Sequence, residues 1–258
     1  MDRRTAICAL LALGLSVSAA GRAAAAEFVV AAAASLSDAF RAEARAFEAA
    51  HPGDRVVLDL ASSGTLYVQI EQGAPVDVYA SASHRYMDRL ERAGRLLPGT
   101  RADFAANRIV LVVPAGASRV ATPRDLLRPE VRRVAVGDPA HVPAGRYARE
   151  ALEGLGLWPR LQGRLVLGVS VRQVRDYVAR GEVDAGVVFA TDARVPGLRV
   201  VHVFADGLHA PIRYPAAVLK DAAHPAAGRA FVAFLRSGEG RAILERFGFG
   251  AVPGEPRP

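Results

Sequence analysis

Four short stretches put hydroxyl-bearing or very small residues where a helix should begin: Ala34-Ser35-Leu36-Ser37, Ser62-Ser63-Gly64-Thr65, Val142-Pro143-Ala144-Gly145 and Val169-Ser170-Val171-Arg172. The first N–H groups of a helix have no partner inside it, and aligned peptide dipoles leave partial positive charge there. Such an end accepts an anion without a countercharge. Hydroxyls at Ser35 and Ser63 would add neutral donors. The chemistry these residues point to is the holding of an oxyanion by dipoles alone. Each stretch by itself is equally an ordinary N-cap, and spacing does not show that the four converge.

Other chemistries find little support. The six histidines, at 51, 84, 141, 202, 209 and 224, form no pair at metal-ligand spacing. Ser62-Ser63-Gly64-Thr65 is not a nucleophile elbow, and no base partner is evident for it. Asp77 and Asp192 show no paired-carboxylate pattern. His141 reads as loop packing, Asp138 as a turn cap, and Arg172 as a structural ion pair. No catalytic residue is assigned, and no cation is expected in the site.

The elements that must position these turns alternate between strand and helix. EFVVAAA, RVVLDLA and VDVYAS are strand-like, each followed by a helix whose apolar residues recur at helical spacing. RIVLVVP is a strong buried strand. The alternation then restarts with RRVAVGDP, GRLVLGVS and DAGVVFATDA, and LRVVHVF and RYPAAVL lead into the closing helices. This pattern predicts an α/β protein with mostly parallel sheets. Two series suggest two lobes, the first built from both chain ends. Ligands of such sheets lie beyond the carboxyl ends of the strands, where the four turns fall. In VGDPAHVPAGRYARE, two prolines and two glycines constrain the path into a helix, as they would if the N–H groups near Ala144 had to be aimed.

Composition limits the class of protein. The chain has 258 residues, 51% hydrophobic and 23% charged, which is ordinary for a globular protein. Residues 1–26 read as a removable export signal: a basic start, an apolar run and small residues near Ala26. The run is short for a membrane span, so no membrane insertion is expected after cleavage, and the location expected is the periplasm. Cys8, the single cysteine, falls inside that segment, leaving no disulfide or thiolate chemistry. The segment carries three arginines and one aspartate, so the net charge of +7 becomes +5 without it. That charge is dispersed, which argues against nucleic acid and suits a small anion.

AAASLSDAF, ASSGTLYVQIEQGAPVDVYASAS, AVGDPAHVPAGRYAREAL and GVVFATDA resemble, in order and spacing, the periplasmic molybdate-binding proteins of ABC importers. GDPAHVPAG is the most specific of these motifs, and the likeness runs over essentially the whole chain after the signal. The resemblance implies a type II periplasmic binding fold: two lobes, each a mostly parallel sheet flanked by helices, joined by two hinge segments. On this reading residues 27–110 and 210–258 form lobe one and 111–209 lobe two, with hinges near Asn107–Pro114 and Phe204–Tyr214. It further implies a monomer that holds molybdate or tungstate and delivers it to an inner-membrane permease and its ATPase, with no cofactor.

Carried over by position, the family's ligand contacts fall on Ser35, Ser63, Ala144 and Val171. The fifth is a tyrosine hydroxyl, and here GVVF puts Phe189 in its place. A phenyl ring cannot donate, so the missing hydrogen bond is replaced or lost; Tyr147 and Tyr214 are the substitutes considered. Sulfate or phosphate remains the alternative ligand.

Overall fold

The computed structural model describes residues 27–116 and 118–254. The expected export signal, with Cys8, lies outside the described residues.

From the N-terminus the chain forms β1 (Glu27–Ala33), α1 (Ser37–Ala50), β2 (Arg55–Ala61), α2 (Ser63–Glu71), β3 (Val78–Ala80), α3 (His84–Arg92) and β4 (Ala102–Ala106). It then crosses to β5 (Ile109–Pro114), β6 (Val134–Gly137), α4 (Pro143–Gly154), α5 (Trp158–Leu161), β7 (Leu165–Gly168), α6 (Val171–Ala179), β8 (Ala185–Phe189) and β9 (Leu198–Val203). A second crossing returns it to β10 (Arg213–Val218), α7 (Pro225–Leu235) and α8 (Gly238–Arg246).

Two five-stranded sheets result, ordered β2-β1-β3-β10-β4 and β7-β6-β8-β5-β9. In the first, β1 runs parallel to β2 and β3, whereas β10 is antiparallel to β3 and β4. The second repeats the plan: β6 is parallel to β7 and β8, and β5 is antiparallel to β8 and β9. The antiparallel member is in each case a strand reached by a crossing, so it enters the sheet from the opposite end.

Two expectations need adjusting. Ile109 and Val110 pair with Phe189 and Val188 of β8, so the second sheet begins at Ile109, not after residue 110. All of Ile109–Val113 is buried, and so apolar a run is held as a strand, which narrows the first crossing to Asn107 and Arg108. The second crossing is Phe204–Ile212, with a short 3-10 turn at Asp206–Leu208. β4 was not expected at all: Ala-Asp-Phe-Ala-Ala has no alternation and little strand propensity. Its ladder to β10 makes it, across a bulge between Tyr214 and Pro215.

The first lobe's core is an aromatic cluster between sheet and helices, with Phe47 and Phe231 edge-on at 5.3 Å and Phe28 and Phe40 against Phe231 at 5.9 Å. Edge-to-face contacts of this kind add to plain area burial. α1 supplies Phe40 and Phe47 from one stripe, and the same stripe buries Glu43 completely. In the second lobe α4 and α6 cover β6 and β8 with Ala148, Leu152, Val174 and Val178, all fully buried.

Candidate functional site

The carboxyl ends of β1, β2, β6 and β7 lead directly into the four turns. Each turn can be audited for donors that its helix leaves over.

In α2 the Ser62 side chain accepts from Thr65 N at 3.2 Å and its carbonyl from Leu66 N at 3.0 Å. Gly64 N donates across the cleft to His141 O at 2.9 Å. Of the first four N–H groups only that of Ser63 lacks a partner among the described residues. In α4 the first residue, Pro143, has no N–H, and Arg146 N bonds Val142 O; Ala144 and Gly145 are left. In α6 Ser170 takes the N–H groups of Gln173 and Val174, leaving those of Val171 and Arg172. The Ala34–Leu36 turn has no side-chain cap, and α6 packs against it. Ser63, Ala144 and Val171 each carry an N–H without a partner among the described residues, and Ser35 lies in the turn that has no side-chain cap. Ser35, Ser63, Ala144 and Val171 are all buried, at 5%, 0%, 0% and 4% exposure.

The two lobes touch around these turns. Besides Gly64 to His141, Tyr86 Oη donates to Ala140 O at 2.8 Å and Arg146 Nη2 to Ser83 Oγ at 3.0 Å. Arg172 Nη2 reaches Asp38 Oδ2 at 2.7 Å. The cleft is closed, and glycines allow it. A Cβ on Gly64 would lie 2.4 Å from His141 O. A Cβ on Gly145 would lie 1.8 Å from Gly137 O, and one on Gly137 would lie 2.4 Å from Val142 Cγ1. The GDPAHVPAG stretch is therefore a packed corner. Asp138 ties it down, its carbonyl accepting from Val142 N at 2.8 Å and its carboxylate from Ala140 N at 2.9 Å.

Both serines are held rigidly. Ser63 Oγ accepts from Ala82 N at 3.0 Å, and Ser63 O accepts from the buried Tyr79 hydroxyl at 2.8 Å. Ser35 Oγ lies 3.1 Å from Tyr214 Oη, and Asn107 Nδ2 donates to the same phenol at 3.1 Å. Burial pushes the Tyr214 hydroxyl well above the usual tyrosine range, so it stays protonated.

Phe189 ends β8 at 1% exposure, its ring 5.8 Å from that of Tyr214 and 6.3 Å from that of Tyr147. Of the two tyrosines considered as substitutes, Tyr214 touches a predicted contact, while Tyr147 lies beneath the Arg146 guanidinium at 4.3 Å. Asn107 was missed, since residues 107 and 214 meet only through the β4–β10 ladder.

Charge near the site is internally paired. Arg172 joins Asp38 of the first lobe to the fully buried Asp192, whose Oδ1 lies 3.2 Å from Arg172 Nε. Burial raises the Asp192 carboxyl to about 7 against the pull of Arg172. Burial also raises Asp38, but the Arg172 guanidinium outweighs it and holds that carboxyl below its ordinary value. A cavity of about 550 Å³ opens beside the turns, lined in part by Ser37, Arg41, Ser62, Ser170 and Arg172. Among the described residues no cluster of histidine, cysteine or carboxylate side chains could hold a metal ion, and no helix is long and apolar enough to cross a membrane.

Two sheets with paired crossings, and helix N-termini meeting in a closed cleft, define a two-lobed solute-binding protein of the type II periplasmic fold. The chain belongs to the bacterial extracellular solute-binding protein family, whose profile matches residues 28–250. It is 37% identical to the molybdate-binding protein ModA of Haemophilus influenzae over 94% of this chain and 96% of that one. The solved periplasmic molybdate-binding protein of Azotobacter vinelandii superposes with a TM-score of 0.78 at 27% identity, covering 88% of this chain and 99% of that one. The sulfate-binding protein SubI of Mycobacterium tuberculosis shares the fold, with a TM-score of 0.77, 20% identity and 88% coverage of both chains.

Proposed function

We propose that this protein binds molybdate, and tungstate with it, in the periplasm and hands the anion to the permease and ATPase of an ABC importer. The observation that carries the reading is the set of uncapped N–H groups at Ser63, Ala144 and Val171, with Ser35 in its uncapped turn, drawn from both lobes, beside a cationic side chain already committed to two carboxylates. Burying a dianion is costly unless donors replace its water, and fixed dipoles in a dry cleft do so without reorganising. Each hydrogen bond to the charged ligand contributes about 1.5–3 kcal/mol. The relatives named above supply the ligand class.

Closure is a rotation of the lobes about Asn107–Arg108 and Phe204–Ile212. Ligand binding stabilises the closed form because donors from both lobes meet only there. No bond is made or broken in the ligand, so the protein acts as a monomeric carrier and not as an enzyme. The alternative reading, sulfate or phosphate, draws on Phe189, which removes the donor expected at that position.

Isothermal titration of the purified protein with molybdate, tungstate, sulfate and phosphate decides between them. Submicromolar binding of the first two alone is the expected result. Binding of sulfate or phosphate instead would keep the mechanism and overturn the ligand.

A further inference from the structure

Around Ser35 the hydrogen-bond geometry determines which atoms donate, and from that a role follows for two residues outside the expected site. Asn107 Oδ1 accepts from Arg108 N at 2.8 Å. A backbone N–H can only donate, so the amide orientation is settled and Nδ2 is the other end. Nδ2 has two protons and two acceptors: Thr191 Oγ1 at 3.0 Å and Tyr214 Oη at 3.1 Å. An amide nitrogen cannot accept. The Tyr214 oxygen is therefore an acceptor on that side, and its own proton needs a partner.

Tyr214 is fully buried, and the acceptor within reach is Ser35 Oγ at 3.1 Å. Were Ser35 the donor instead, the phenol proton would be left buried and unpaired, which costs more than the bond gains. With its oxygen so occupied, the Ser35 hydroxyl keeps its proton for a ligand. Ser63 has the same arrangement by other means, since Ala82 N occupies its oxygen.

We infer that Asn107 and Tyr214 form a directed relay, amide to phenol to serine, that sets Ser35 as a donor to the bound oxyanion. This rests on the oxyanion reading above. The relay adds no donor in place of the one that Phe189 lacks; a phenol from β10 instead strengthens the hydrogen bond that Ser35 makes. Donors in series polarise one another, so the last proton in the chain is the strongest donor. Asn107 and Tyr214 are positioning residues. Asn107 is half of the first crossing and also donates to Thr191 of the second lobe, so the relay is anchored on both sides of that crossing.

The test is a double-mutant cycle with Tyr214→Phe and Ser35→Ala, read by calorimetric titration with molybdate and tungstate. In the otherwise unaltered protein Tyr214→Phe should weaken both ligands by about tenfold. In the Ser35→Ala background it should change affinity by less than about twofold, because the relay then has no terminus. Equal losses in both backgrounds would mean that Tyr214 meets the anion directly, and would overturn the relay. No loss in either would overturn it too.

A second measurement does not require a soluble Tyr214→Phe variant. In the unliganded, unaltered protein the Tyr214 hydroxyl proton should be a slowly exchanging NMR resonance with a cross-peak to the Ser35 β protons. A proton exchanging at the solvent rate would sink the proposal. Failure of the unaltered protein to bind either oxyanion would instead sink the ligand reading, and the role in binding with it.

Discussion

At the scale of single residues, function depends on which donors are left over. Ser63 offers a backbone N–H and a hydroxyl proton whose oxygen is already taken by Ala82 N. Ser63→Ala should therefore weaken molybdate binding by about 1–3 kcal/mol, and it should also lower the thermal midpoint without ligand, because the buried Ala82 N–H loses its acceptor; an unchanged dissociation constant would remove Ser63 from the site. Two buried carboxyls, Asp192 and Glu43, make stability fall as pH rises, and Glu43 spans the wider window. Glu43 is fully buried, neither carboxylate oxygen has a hydrogen-bond partner, and burial, aided by Glu239, pushes its carboxyl up to about 9 from an ordinary 4.5. Between those values the unfolded chain releases a proton that the folded chain retains. Stability therefore falls as pH rises through that window. Glu43→Gln should flatten the fall and add about 1–3 kcal/mol near pH 8, read from thermal midpoints between pH 5 and 9. A variant as pH-sensitive as the parent would show that the slope arises elsewhere.

At the scale of elements, the constraint is close approach of backbone to backbone. Gly145 sits in the first turn of α4 against the carbonyl of Gly137, with no room for a methyl group. Gly145→Ala should destabilise the second lobe by at least about 2 kcal/mol through overpacking, seen as a lowered thermal midpoint with or without ligand. Gly64 is a contrasting case, because the atoms its Cβ would meet, His141 O and Tyr86 Oη, come from across the cleft and from α3. Gly64→Ala should spare the unliganded midpoint and weaken molybdate binding by more than about tenfold, since the lobes could no longer meet. Equal damage to both quantities would mean that Gly64 serves the fold instead of closure.

At the scale of the whole molecule, the two crossings join sheets that, among the described residues, otherwise meet across the cleft through a handful of hydrogen bonds and one charged bridge. On the proposed hinge motion, opening would break the Arg172–Asp38 pair and leave Arg172 with Asp192 inside the second lobe. Small-angle scattering should show the radius of gyration falling on molybdate addition, and Gly64→Ala should abolish the change. An identical radius in both states would locate the binding response in local side-chain movement.

The sequence by itself determined the sheet-helix alternation, the buried run at Ile109–Val113 and the four turns, because period and turn chemistry are local properties. It also carried the corner at GDPAHVPAG, though not the reason for it, which is that Gly145 must meet Gly137. β4 escaped, since an alanine-rich stretch becomes a strand only when β10 lies alongside. Tertiary structure alone decided that the turns converge and that Asn107, Tyr214 and Ser35 form one chain. Those residues are separated by 72 to 179 positions, and hydrogen-bond direction is a property of assembled neighbours that no residue encodes alone.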